Sequence, residues 1–140
     1  KDAIAFFTHA NNFPENSDFS YLSNYWLADC YYQINDFEKA IKIYTDLSVT
    51  SNANLSDYGG LKKYNLAYAY FKTANYSSAV KWFRSYEKIS VDSMRLNDSY
   101  LRIADCYFMQ SEFALAEKYY KNSYGHLTRN LPSKILNGLD

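Results

Sequence analysis

An excess of charge of either sign is missing from this 140-residue sequence, because 15 Lys and Arg residues balance 15 Asp and Glu residues. Proteins that bind nucleic acids or membrane surfaces usually carry clustered positive charge. We therefore expect no nucleic-acid partner. The sequence also lacks the 18 consecutive apolar residues that indicate a membrane-spanning helix, so we expect no membrane insertion by this segment.

Residues that commonly carry catalysis are few. The two histidines, His9 and His126, have no Cys or carboxylate at metal-ligand spacing. A Gly-rich phosphate loop is absent, and the pair Gly59-Gly60 is better explained as a turn or a helix start. We predict that the chain is not an enzyme and holds no metal or cofactor.

The two cysteines, Cys30 and Cys106, occupy the same place in two similar stretches, "YWLADCYYQINDFEKAIKIY" and "RIADCYFMQSEFALAEKYY". If these stretches are two units apart in a stack of helices, the cysteines lie roughly 16–20 Å from each other. A disulfide needs Cα atoms within about 7 Å. We therefore expect two small buried thiols.

The similarity extends to an internal repeat. Two sets of alanines mark it, and both step by 39 and then 37 residues: Ala28, Ala67 and Ala104 in one set, and Ala40, Ala79 and Ala116 in the other. Because two independent sets of alanines have the same spacings, the sequence consists of repeated units. A single unit of this kind cannot bury its apolar face alone.

Each unit predicts a pair of antiparallel helices, because apolar residues recur three and four positions apart on both sides of a short polar break. In the first break, Asn35 is expected to cap the second helix, with Glu38 completing a capping box. The predicted helices are near 18–34, 36–49, 58–73, 76–89, 95–110 and 112–126, with partial helices at both ends.

The segments "NYWLADCYYQINDFEKAIKIYTDL", "KYNLAYAYFKTANYSSAVKWFRSY" and "YLRIADCYFMQSEFALAEKYYKNS" resemble the tetratricopeptide repeat family. Each has the large-small-x-x-aromatic stretch, a polar turn, and then aromatic-x-x-Ala-x-x-x-aromatic. The family repeat is usually 34 residues long, and the units here are longer. The resemblance implies an all-α fold, a right-handed superhelical solenoid of antiparallel helix hairpins. The long links are similar to those of bacterial cell-envelope members, so the periplasm or envelope is the expected compartment, with the cytoplasm as the alternative.

The resemblance implies one tetratricopeptide domain over 1–140, as an internal fragment of a longer protein. Residues 1–17 are expected to be the second helix and link of a preceding repeat. Three repeats follow at 18–55, 56–92 and 93–130, and 131–140 is expected to start another.

The resemblance also implies a function, a non-catalytic scaffold that binds a peptide or protein partner on the concave face formed by the first helices. The residues carried over to that face are Tyr25, Trp26, Asp29, Tyr32, Tyr64, Asn65, Tyr68, Phe71, Leu101, Arg102, Asp105 and Phe108. Their rings can equally be core, since rings in a tight stack cover one another. A structural spacer within an envelope protein and a glycan-binding surface remain alternatives.

Some family members clamp a C-terminal carboxylate with Lys, Asn and Arg residues. Asn65 and Arg102 match that pattern, but Tyr25, Asp29 and Asp98 stand where it needs Lys, Asn and Lys. Acids near the site would repel an anion, so we expect no chaperone-type clamp. A mildly acidic face should instead prefer peptides with aromatic or aliphatic anchors and a Lys or Arg between them.

Overall fold

A computed structural model describes residues 2–11, 17–49 and 56–129 of the chain. In these ranges it has seven helices and no strand: α1 Asp2–Ala10, α2 Ser17–Gln33, α3 Phe37–Val49, α4 Ser56–Lys72, α5 Tyr76–Glu87, α6 Ser93–Met109 and α7 Phe113–Arg129. The all-helical prediction is confirmed. The largest boundary difference is the end of α7, predicted at residue 126 and observed at Arg129. The partial helix expected after residue 130 lies outside the described residues.

The helices form three hairpins, α2–α3, α4–α5 and α6–α7, and the second helix of each of the first two hairpins also packs against the first helix of the next. Both sets of landmark alanines are buried, and all except Ala116 have no solvent exposure at all. Because an alanine side chain is short, the helix axes approach closely at these positions. The rings of Tyr44 and Phe83, both fully buried, fill the space beside them. These hairpins thus alternate small and large side chains at their contacts.

The three hairpin turns share one backbone conformation. Asn35, Ala74 and Ser111 have φ angles of 63°, 57° and 62°, in the left-handed region. In each turn the next residue donates its N–H to a carbonyl five residues back, at 2.9 Å. That is the Schellman arrangement, which ends the first helix by satisfying its last carbonyls. The second helix then begins two residues after the left-handed one, at Phe37, Tyr76 or Phe113.

This geometry corrects the predicted cap of α3. Asn35 is the left-handed residue that ends α2, and the residue that caps α3 is Asp36. The Asp36 Oδ1 accepts from the backbone N–H of Lys39 at 3.4 Å, and its Oδ2 pairs with the Lys39 ammonium at 2.6 Å. The hydrogen bond with Lys39 holds the pKa of Asp36 below its ordinary value.

The two thiols differ in their surroundings, and both are free. Cys106 is buried in a cluster with Val80 and Phe83 of α5, the helix before its own, and burial raises its pKa to about 12. Cys30 is only half-buried, so the prediction of two buried thiols is right for Cys106 and wrong for Cys30. Cys30 is not a member of either core cluster of the described residues.

A buried lysine joins the first two repeats. Lys62, only 6% exposed, donates from Nζ to the Leu47 carbonyl at 2.7 Å and to the Tyr21 hydroxyl at 2.9 Å. Its ammonium also lies 5.3 Å from the centre of the Tyr21 ring. The last turn of α3 has no basic residue of its own, so Lys62 of α4 supplies the cation that stabilises a helix C-terminus.

Replacing Ala74 by glycine should stabilise the fold. An alanine in the left-handed region costs about 1–2 kcal/mol, and glycine removes that cost while adding a smaller entropic one. We expect urea denaturation to give a free energy of unfolding roughly 0.5–1 kcal/mol higher for Ala74→Gly. Asn35→Gly is the matched control and should gain less, because asparagine tolerates this conformation. A loss of stability in Ala74→Gly would contradict the turn geometry.

Replacing Lys62 by alanine should destabilise the junction between the first two repeats. The change leaves a buried carbonyl and a buried hydroxyl without their charged donor, which costs roughly 1.5–3 kcal/mol. The neighbouring Lys63→Ala should change the free energy of unfolding by less than about 0.5 kcal/mol. Equal effects of the two substitutions would show that Lys62 is not held as described.

Candidate functional site

The first helices lie on one side of the stack. Helix α4 contacts both α2 and α6 directly, and no comparably close contact joins the second helices of the described hairpins. The first helices therefore lie on the side of the stack where successive repeats approach each other more closely. We call the surface made by the twelve predicted partner-binding residues on α2, α4 and α6 the inner face.

Two of these residues belong to the junction between the first two repeats. Tyr25 is only 4% exposed, and its ring centre lies 6.0 Å from that of Tyr44 in an edge-to-face pair. The Asn65 amide donates to the hydroxyls of both Tyr25 and Tyr44, at 3.3 Å each. Burial raises the pKa of Tyr44 well above its usual range, so the phenol stays protonated. Tyr25 therefore contributes to packing and does not offer an exposed anchor.

A carboxylate that was not among the predicted site residues organises the second junction. Asp98 of α6 accepts from the Tyr64 hydroxyl at 2.7 Å, and the same oxygen accepts from the Tyr68 hydroxyl. Burial, followed by the contact with Asp98, raises the pKa of both phenols well above the usual range. At neutral pH both tyrosines are hydrogen-bond donors. From the sequence, Asp98 was expected only to oppose a carboxylate clamp.

Arg102 is held between two acids. Its Nη1 lies 2.6 Å from the Asp105 carboxylate, and its Nε lies 3.6 Å from that of Asp98. The guanidinium carbon lies 5.7 Å from the centre of the Phe71 ring, within the range of cation–π attraction. Asp105 also accepts from the Tyr120 hydroxyl at 2.7 Å, and that bond raises the pKa of Tyr120 to about 12. Arg102 thus offsets part of the acidic charge on these helices.

The rings near the C-terminal ends of the three first helices, Tyr32, Phe71 and Phe108, share one geometry. Each of these rings meets the first ring of the following helix edge to face. The pairs are Tyr32–Phe37, Phe71–Tyr76 and Phe108–Phe113, with ring centres 5.3, 6.0 and 5.5 Å apart. The first two pairs are half-buried, but Phe108 is 54% exposed.

The remaining inner-face residues differ in exposure. Trp26 is 43% exposed, whereas Asp29 and Leu101 are half-buried. Burial raises the pKa of Asp29, and a hydrogen bond with Gln33 lowers it in part. An open cavity of about 340 Å³ adjoins the inner face, lined by Tyr64, Asp92, Met94, Arg95 and Asp98. Of the twelve inner-face residues, Trp26 on α2 and Phe108 on α6 are exposed, and the other ten are half-buried or buried.

Two kinds of feature are not found in the part of the chain that the structure describes. No group of three or more His, Cys, Asp or Glu side chains there is placed to hold a metal ion. No helix within the same ranges is long and apolar enough to cross a membrane.

Two family models described as tetratricopeptide repeat match the sequence, one over residues 23–48 and one over 63–90. The chain contains tetratricopeptide repeats. The matched ranges cover most of α2–α3 and of α4–α5, and α6–α7 repeats their turn and their ring pairs. Tetratricopeptide repeats generally act as non-catalytic scaffolds that bind protein partners. The expected bacterial envelope origin stays a prediction.

The fold is similar to a crystal structure of nearly identical tetratricopeptide-like repeats of a kinesin light chain from Podosopora anserina. The TM-score is 0.69 and the sequence identity 13%, with 91% of this chain covered. The match spans 66% of the solved chain. At this identity the likeness concerns the tetratricopeptide fold. A search of curated proteins found no match.

Removing the Asp98 carboxylate should weaken the contact between the second and third repeats. Asp98→Ala leaves two part-buried hydroxyls without their acceptor, and the free energy of unfolding should fall by roughly 1–3 kcal/mol. In a double-mutant cycle with Tyr68→Phe, we expect a coupling of at least about 0.5 kcal/mol.

The control cycle pairs Tyr68→Phe with Asp92→Ala. Asp92 stands at the start of α6, where it caps the helix by accepting from the N–H groups of Met94 and Arg95. These two changes should be additive. Additive effects in the Asp98 cycle as well would mean that Tyr68 does not depend on that carboxylate.

Proposed function

We propose that this chain is a non-catalytic protein-interaction scaffold that binds an extended or helical peptide segment along the inner face. The observation that carries the proposal is the strip of rings across three successive first helices. Trp26 and Phe108 are exposed at its two ends, and half-buried Tyr64, Tyr68 and Phe71 lie between them. Large rings with part of their surface in water are the residues that most often anchor a protein partner.

The charge on the same strip favours a partner with a basic residue. The strip carries three carboxylates, those of Asp29, Asp98 and Asp105, but a single guanidinium, that of Arg102, which is already paired with the last two. The strip therefore keeps an excess of negative charge. Lys or Arg between two apolar anchors would complement it. Because exposed ion pairs contribute only about 0–1 kcal/mol, the anchors should supply most of the affinity.

The pairing of Arg102 argues against a C-terminal carboxylate as the bound group. Its guanidinium contacts Asp105 at 2.6 Å and lies near Asp98. Asn65 is likewise engaged, since its amide donates to Tyr25 and Tyr44. An incoming carboxylate would have to displace these partners and approach two acids. We therefore propose that the chain has no chaperone-type clamp.

The orientation of the rings makes a sugar platform the weaker alternative. A sugar stacks on a flat, accessible ring face, whereas the ring pairs along the first helices meet edge to face, at interplanar angles of 62° for Tyr64–Tyr68 and 72° for Tyr68–Phe71. A spacer needs no exposed rings on this strip. Trp26 and Phe108 therefore favour peptide binding over both alternatives.

A peptide-array screen with the 140-residue chain tests the proposal. Peptides with two aromatic or aliphatic anchors and an intervening Lys or Arg should be enriched. For such a peptide, Trp26→Ala or Phe108→Ala should raise the Kd about tenfold or more, as loss of an anchor does. Asp29→Asn should raise it by less than about fivefold, since it removes one partly screened charge.

Matched controls separate the inner face from the rest of the surface. Val91, fully exposed on the link between α5 and α6, serves as Val91→Ala, and Glu38→Gln removes an exposed acid from α3. Neither should change the Kd. If bound peptides tolerate both Trp26→Ala and Phe108→Ala, the inner face is not the site. Enrichment of acidic peptides would contradict the charge argument.

A further inference from the structure

The small cavity beside the inner face lies where α6 begins. Its volume is about 340 Å³, and its walls are formed by Tyr64, Asp92, Met94, Arg95 and Asp98. Ligand cavities usually measure about 300–1,000 Å³. This cavity is at the small end of that range, so it suits one long side chain better than a whole small molecule. We call it the α6 cavity.

Part of the wall of the α6 cavity is apolar. Met94 is 83% exposed and lies one helical turn before Asp98, while α4 contributes the half-buried ring of Tyr64. A thioether and an aromatic ring can pack against the methylene groups of a Lys or Arg side chain. An aromatic ring also attracts a cation. The apolar part of the cavity therefore suits a long basic side chain.

The ion pairs around the cavity leave one negative charge uncompensated. Asp92 is paired with Arg95, so these two charges offset each other. Arg102 is shared, because its guanidinium lies 2.6 Å from the Asp105 carboxylate and 3.6 Å from that of Asp98. Three carboxylates thus accompany two guanidinium groups. One further cation would balance the charge.

Asp98 can accept a further hydrogen bond through one of its two oxygens. Its Oδ2 already accepts from the hydroxyls of Tyr64 and Tyr68, which uses both lone pairs of that oxygen. In the described part of the chain, Oδ1 has only the Arg102 Nε nearby, at 3.6 Å, too far for a hydrogen bond. Oδ1 is therefore the atom left for a donor from a ligand.

A single available oxygen distinguishes lysine from arginine. An ammonium is a compact point charge that one acceptor oxygen can hold, whereas a guanidinium binds most strongly when it reaches both oxygens of a carboxylate. The geometry points to the α6 cavity as a pocket for a lysine side chain of the bound peptide. The ammonium donates to Asp98 Oδ1, and the methylene groups lie against Met94 and Tyr64. This inference rests on the proposed function and adds a preference for Lys over Arg.

Analogues of the two side chains test the cavity without a peptide. We expect n-butylammonium to shift the methyl NMR resonance of Met94 with saturation, because Met94 lines the cavity. The second methionine, Met109, is 58% exposed at the other end of α6 and should not respond. We expect n-butylguanidinium to bind at least about threefold more weakly than n-butylammonium, since its second donor finds no free oxygen.

Two substitutions connect the preference to the carboxylate. Asp98→Asn keeps the size of the side chain but removes its charge, and should raise the Kd of n-butylammonium about tenfold. Tyr68→Phe frees a lone pair on Asp98 Oδ2. It should leave n-butylammonium binding nearly unchanged and reduce the disadvantage of n-butylguanidinium. Glu38→Gln, on α3, is the control and should change neither Kd.

Failure of this inference and failure of the proposed function give different results. If peptides bind the inner face with Arg as often as Lys, and Met94 does not respond to n-butylammonium, the lysine pocket is wrong while the scaffold function stands. If Met94 responds as expected but no peptide is enriched, the pocket is supported and the peptide function fails. Equal shifts of Met94 and Met109 would overturn the inference, because the analogue would then bind without a site.

Discussion

The close approach of helices at six buried alanines is the constraint on which the rest of this structure depends. Ala28, Ala67 and Ala104 on the first helices and Ala40, Ala79 and Ala116 on the second leave almost no exposed surface. A larger side chain at such a contact would force the helices apart or distort neighbouring rotamers. The aromatic rings can fill the remaining space only while this separation holds. The polar contacts between repeats depend in turn on the positions of those rings.

The periodic part of the fold could be predicted from the sequence because periodicity is a local property. The spacing of small and large residues determined the number of hairpins and the approximate bounds of their helices. It did not distinguish Asn35 from Asp36 as the cap, because both side chains can cap a helix. The choice depends on which residue takes the left-handed conformation, and Ala74 and Ser111 show that the turn imposes it even on residues that rarely adopt it.

The inner face could be predicted only as a set of positions. Tyr25 and Trp26 are neighbours in the sequence, yet one is buried and the other exposed, because the next hairpin covers only the first. Lys62 and Lys63 are the same residue type, and it is Lys62 that reaches a helix end in the preceding repeat. Asp98 gains its importance from two tyrosines of another helix. Such roles follow from how the hairpins are stacked, which single-sequence patterns do not report.

The junctions between repeats are chemically unlike one another, although the hairpins they join are similar. An ammonium and an amide, from Lys62 and Asn65, bind the first junction. A carboxylate, that of Asp98, binds the second. A hairpin stacked on the wrong neighbour would bring donors to donors or leave a carboxylate against apolar rings. The polar groups of each hairpin therefore match only those of its neighbour in the sequence. This matching disfavours stacking of the repeats in another order during folding. It also makes the hairpins poor candidates for exchange by recombination.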